Sequence, residues 1–317
     1  MNKWDSKRIA FISILIAMSI SFVIIGTRFA AISSFPSIKL SLAGLPIKII
    51  GYIFGPVIGF VIGFSTDVIS FVFMPAFYYP LYSVALGISG MLPGLVSFGF
   101  NYFYKIYSNE NILKKLNIKK LFLSYKFQLE TSKNNVNRAN NIEKKMSTID
   151  NKINQLENSK TQKYQLNFGL YSSISILFLI LIILTSFFTI IPQNVINETF
   201  EDKGILRFMS NKFIFIGIIV LGIITCICSL IFFKNRMKEE GFLNYVAIVV
   251  FVVLTEYINI PIIAFADAKT LKIDFITSSI ASLATSFIKI WFNLVIIFFS
   301  IKIVMPLITK KAFNGYV

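Results

Sequence analysis

The sequence predicts an all-α fold, a polytopic membrane helical bundle, and three observations carry that reading. Of the 317 residues, 56% are hydrophobic, 34 are Phe, and the mean hydropathy is +0.73. A water-soluble domain of this length has to cover its surface with polar groups, and this composition does not supply them. The apolar residues also gather into runs near the roughly 20 residues needed to cross a bilayer. Third, the net charge of +16 is unevenly distributed over the connecting segments, as in multi-pass proteins whose basic loops stay on one side.

Spans are expected near 8–31, 42–54, 55–74, 80–104, 168–191, 211–233, 242–265 and 274–306. The opening MNKWDSKR leads into an apolar run from Ile9 to about Ala31 without a small-residue cleavage pattern. It is therefore read as a retained first span rather than a signal peptide. The second and third spans share one apolar run, divided at Gly55-Pro56. Proline suits the first turn of a helix and disfavours helix in the residue before it, so a tight turn is expected there. Four blocks follow: 1–104 with four spans, a polar insertion at 105–167, two spans within 168–233, and two more within 234–317.

With the N-terminus inside, Lys3, Lys7, Arg8, the 105–167 insertion, the KNRMK run at 234–238 and the Lys310-Lys311 tail all fall in the cytoplasm. The weakly charged 32–41 and 75–79 loops, the acidic NETFED loop at 197–202 and the 266–273 loop then face outward. A multi-pass plasma-membrane protein with both termini cytoplasmic is the expectation. Within the insertion, Ile142, Met146, Ile149, Ile153 and Leu156 are spaced 4-3-4-3, about two heptads of an a/d stripe. A cytoplasmic helical hairpin and a protein-docking arm both fit, and the lysine excess also suits contact with anionic headgroups.

Several functions are disfavoured by what the chain lacks. It contains no His, so neither a His-ligated metal nor a His general base is available. There is no GxxxxGK[ST] phosphate loop, no Gly-rich dinucleotide fingerprint and no nucleophile constellation. An enzyme, a cofactor, a metal and a nucleic-acid partner are not expected. Uphill transport would have to draw on another subunit or an ion gradient. Cys226 and Cys228 lie about 200° apart on a helix, which favours inert packing over a clamp.

Charges at bilayer depth are costly, about 2.5–3.5 kcal/mol each on insertion scales, and normally face protein or a wet cavity. The 36–94 stretch is apolar yet broken by Gly and Pro, and it carries Lys39, Lys48 and Asp67. Irregular backbone at that depth needs protein or a cavity around it. Arg28, at the outer end of the first span, either snorkels to the interface or points inward. Asp67 needs a partner: Lys48 in a structural pair, or the N–H groups of a heterocycle, which a carboxylate accepts well. Glu256 and Asn259, one turn apart in VVLTEYINIPI, read as site residues or as a structural pairing. Lys289, mid-span in SFIKIWFN, needs a carboxylate, and Glu256 is the natural partner. Tyr78, Tyr79 and Tyr82 form either an interfacial belt or a lid that stacks on a flat ring. Ser13, Ala17 and Ser21 recur every four residues, a small-residue face that lets helices approach closely in lipid.

Taken in order, these residues resemble the substrate-binding S component of an energy-coupling factor (ECF) vitamin transporter, in its folate-type branch. The likeness rests on the basic N-terminus entering a helix with Ser13 and Ala17, on Arg28, and on Ile38-Lys39-Leu40 and Leu45-Pro46. It continues through the GYIFGP turn at 51–56, Gly59, Gly63, Asp67-Val68-Ile69, the Tyr/Pro loop, and Ser89-Gly90 to Pro93-Gly94-Leu95. It covers about 5–104 well and 242–306 loosely.

The resemblance implies a six-helix core that binds a vitamin from outside and pairs with a membrane T-component and two cytoplasmic ATPases. On that reading the Ser13/Ala17/Ser21 face meets the T-component. Arg28, Lys39, Asp67, Tyr78, Tyr79, Tyr82, Glu256, Asn259 and Lys289 would line or cap the pocket. Folate suits this chemistry: its pterin for the carboxylates and tyrosines, its anionic tail for Arg28 or Lys39. The chain departs from the family in two places. It has eight spans, two of them inserted with the 105–167 arm, and Ser286 stands three residues before Lys289 where folate-type members usually carry Arg. Another vitamin such as riboflavin or biotin, or a membrane scaffold whose arm binds a partner, are the alternatives.

Overall fold

The computed structural model describes residues 6–30, 36–73, 79–107, 109–133, 135–158, 161–200 and 209–313. Among them there is no strand. The helices are α1 (Ser6–Ala30), α2 (Pro36–Phe54), α3 (Pro56–Phe73), α4 (Pro80–Tyr107), α5 (Asn109–Ser132) and α6 (Val136–Asn158). They continue with α7 (Thr161–Ile190), α8 (Gln193–Phe200), α9 (Lys212–Lys234), α10 (Glu239–Thr270), α11 (Phe275–Ala284) and α12 (Ser286–Phe313). Among the described residues, six stretches are long and apolar enough to cross a membrane: Pro56–Phe73, Pro80–Phe100, Leu166–Ile190, Lys212–Lys234, Gly241–Thr270 and Ser286–Val304. Ile9–Phe22, Gly44–Phe54 and Phe275–Ala284 are shorter apolar helices.

The chain divides into two compact units, one formed by 1–98 and 172–317, the other by 99–171. In the first, α10 is the central element. Its residues Tyr245 to Val253 are all buried, as expected of a helix that is apolar all round and enclosed by others. It packs against α9, α11 and α12, while α2 packs against α1, α3 and α12.

The wall made by α2, α3 and α4 owes its closeness to glycine. A Cβ on Gly51 would overlap the carbonyl oxygen of Gly90, one on Gly90 would overlap that of Gly59, and one on Gly63 would overlap that of Leu86. The expected turn is in place: α2 ends at Phe54, α3 starts at Pro56, and Gly55 between them has φ +99°, which glycine adopts without strain.

The spans expected at 168–191 and 211–233 are α7 and α9. With α8 they build an apolar cluster in which Phe188, Ile196, Phe200 and Phe215 pack with Ile260 of α10 and Ile280 and Leu283 of α11. The Lys212 ammonium donates to the Ile191 carbonyl at 2.7 Å, satisfying a backbone acceptor at the end of α7. Trp291 Nε1 of α12 donates to Thr225 Oγ1 of α9 at 3.1 Å. These helices are thus fastened to the last three helices of the bundle.

Four expectations need correction. The span at 274–306 is two helices, broken at Thr285 (φ −92°, ψ −7°), where α11 ends. Ser and Thr compete for backbone partners and interrupt helices, and TSSIASLATS is dense in both. The segment 266–273 is not wholly loop, because α10 runs to Thr270. Residues 36–41 belong to α2 rather than to a loop, and part of the acidic 197–202 loop is the end of α8.

The second unit holds the hairpin α5–α6. Ala139, Ile142, Ile149 and Ile153 of α6 are buried, so the stripe read from the heptad spacing is the face that pairs with α5. Lys120 and Asp150 join the two helices through an exposed ion pair at 2.6 Å.

Candidate functional site

Five helices bring chemistry together around one hollow of about 20 Å³. Its lining includes Lys48 of α2, Ser89 of α4, Glu256 and Asn259 of α10, Ser282 of α11 and Lys289 of α12. Glu256 and Asn259 share one face of α10 because residues three apart are neighbours on a helix. The Lys289 ammonium lies 3.2 Å from Glu256 Oε1 and 3.5 Å from the carbonyl oxygen of Ser282. That carbonyl is in the last turn of α11, where it also accepts from Thr285 Oγ1 at 3.0 Å and the helix dipole favours a cation. The break between α11 and α12 therefore helps to hold Lys289.

Lys48 is 2% exposed, Lys289 6% and Glu256 8%. Lys48 is within electrostatic reach of both Glu256 and Lys289. Three ionisable side chains are thus buried together, two basic and one acidic. Asn259 Nδ2 donates to Ser89 Oγ at 2.7 Å, and Ser89 Oγ donates to the Ala85 carbonyl at 3.0 Å. Asn259 Oδ1 is buried and has no hydrogen-bond partner among the described residues. Buried polar atoms are nearly always satisfied, so this acceptor and the surplus cation are both suited to an incoming polar group. Chemically the arrangement can accept one donor at Asn259 Oδ1 and donate from two ammonium groups.

The structure brings three of the anticipated site residues, Glu256, Asn259 and Lys289, to one hollow. Asp67 is elsewhere: its Oδ2 accepts from Ser83 Oγ at 2.6 Å, and it is not among the lining residues. The anticipated Lys48–Asp67 pair is replaced by Lys48 beside Glu256 and Lys289. Tyr82 is also committed to protein, donating to Asp267 Oδ1 at 2.6 Å beside Thr270 Oγ1 at 3.0 Å. Asp267 Oδ2 accepts in turn from Ser278 Oγ at 2.7 Å, which ties α4, α10 and α11 together. The Tyr79 ring stands edge-on to Tyr82 at 6.5 Å. Tyr78 lies outside the described residues, and Arg28 and Lys39 lie on α1 and α2 with side chains outside the described part. Ser13, Ala17 and Ser21 are exposed on α1, and the two hydroxyls donate back to the carbonyls of Ile9 and Ala17.

Ser89, Ser282 and Asp267 were missed by sequence reasoning. Asp267 carried a usable signal, a lone acid in the AFADAK run, but it was assigned to a loop. Ser89 and Ser282 carried none, because serines inside apolar helices are common.

Residues 3–123 match the sequence model of a family described as ECF-type riboflavin transporter, S component. Over that stretch the chain is similar to ECF S components. The match covers α1 to α4 and the first part of α5, so the matched region supplies Lys48 and Ser89 to the hollow. Glu256, Asn259, Ser282 and Lys289 come from beyond it. No curated protein and no solved structure matches the chain.

Proposed function

We propose that this S component is the substrate-binding membrane subunit of an ECF-type vitamin importer, with folate as the preferred cargo. The observation that carries this reading is the hollow at which Lys48 of α2, Glu256 and Asn259 of α10 and Lys289 of α12 converge. A carboxylate and an amide oxygen suit the amino and ring N–H groups of a heterocycle. The excess of ammonium over carboxylate suits an anionic substituent, which folate has. Riboflavin is the second reading, favoured by the name of the matched family.

Small-molecule pockets usually enclose about 300–1,000 Å³, far above the hollow of about 20 Å³. Cargo binding therefore requires the lysine side chains and the helices carrying them to part. The vitamin arrives from the outer face, both termini lie in the cytoplasm, and a T-component with two ATPases drives release. Ser13, Ala17 and Ser21 present the contact for the T-component.

The test is thermal unfolding of the purified protein with a panel of vitamins that includes folate, riboflavin and biotin. Stabilisation by folate is expected. Stabilisation by riboflavin alone replaces the cargo, and no stabilisation by any member removes the reading.

A further inference from the structure

The α5–α6 hairpin carries a second apolar face that its own pairing leaves uncovered. Ile118, Leu121, Phe122 and Tyr125 are each more than 60% exposed, and Leu129 is 40% exposed. At 100° per residue these five fall within an arc of about 100° on α5. Leu113, Leu116, Leu123 and Phe127 occupy the opposite arc and are half-buried, on the side where α5 meets α6. The helix is thus apolar on two opposed faces, one paired and one bare.

Charge indicates what covers the bare face. Exposed Lys115, Lys119 and Lys126 line one edge of the stripe, and residues 109–158 hold ten basic side chains against five acidic. An apolar, aromatic-bearing face edged with lysine is the pattern of a helix lying in a membrane interface, with its ammonium groups on anionic headgroups. In the sequence α5 starts at Asn109, shortly after the span that ends at Phe100.

We infer that α5 docks its Ile118–Leu129 face onto a bilayer rich in anionic lipid. The inserted hairpin is then a membrane-surface arm, independent of the identity of the cargo. Its lipid requirement would make the arm sensitive to headgroup composition.

The full chain can be tested in nanodiscs with a solvatochromic non-natural side chain at position 122, or at position 147 on exposed Ser147 of α6 as a reference. In phosphatidylcholine mixed with phosphatidylglycerol, the probe at 122 is expected to shift to the blue and be quenched by brominated lipid. The probe at 147 stays open to aqueous iodide. Lys115→Gln, Lys119→Gln and Lys126→Gln, each checked for unchanged helicity, should each lower the docked-to-free ratio about fivefold. Equal iodide quenching at 122 and 147 in both lipid mixtures would overturn the proposal. Shielding from iodide without quenching by brominated lipid would place protein on that face, a second copy or another chain, and would overturn it as well.

Discussion

Lys289 of α12 reaches Glu256 of α10 at 3.2 Å with both side chains buried. The contact joins two helices whose sequence positions are far apart, and Lys48 adds a second cation beside it. Removing one member of a buried pair strands the other charge, at a cost of about 3–5 kcal/mol. Lys289→Met and Glu256→Gln should each lower stability by that order, while the double variant should lose less than their sum. Thermal unfolding of the four proteins in one detergent measures the coupling.

Asn259 offers a different readout, because its Oδ1 is unsatisfied while its Nδ2 is held by Ser89. Asn259→Ala should weaken vitamin binding about tenfold, the value of one lost hydrogen bond at a buried site. Stability without ligand should fall much less than in the Glu256 or Lys289 variants. Titration calorimetry beside unfolding curves separates the two effects, and an unchanged dissociation constant would take Asn259 out of the site.

Glycine packing can be tested without any ligand. Gly90→Ala forces a methyl group onto the Gly59 carbonyl and the Ile47 side chain, so destabilisation beyond about 4 kcal/mol is expected. The variant should fail to run as a single species on size exclusion. Gly99→Ala meets nothing within 4 Å and should behave as the parent protein.

Ala17 is exposed on α1 between Ser13 and Ser21. Ala17→Trp should abolish co-purification with a T-component, since close helix approach in lipid depends on small residues. Vitamin binding should persist. Retained co-purification would move the partner surface elsewhere.

The fold class was legible because bilayer length and apolar composition constrain helices strongly, and the Gly55-Pro56 turn because proline chemistry is local. The α11–α12 break was hidden inside one apolar run, since its cause is a density of Ser and Thr that hydropathy barely registers. In the candidate site, Glu256 and Lys289 were readable as charges that must find partners. Which partner each finds depends on helix packing that no spacing encodes, and Lys48 was paired with the wrong acid for that reason. Asp67 illustrates the same limit: a hydroxyl on the next helix suffices for it. The bare face of α5 went unnoticed because two opposed apolar arcs cancel in any one-sided reading of amphipathicity.

The glycine contacts among α2, α3 and α4 have a mechanical consequence. Helices that touch backbone to backbone have no side-chain cushion to compress, so that wall is stiff. Lining the same hollow, α11 is ten residues long, ends at a break, and gives way at once to α12 with its ion-paired Lys289. Compliance is therefore lopsided, and a molecule too large for the hollow would have to be admitted by yielding of the α11–α12 corner, with the glycine wall serving as the anvil.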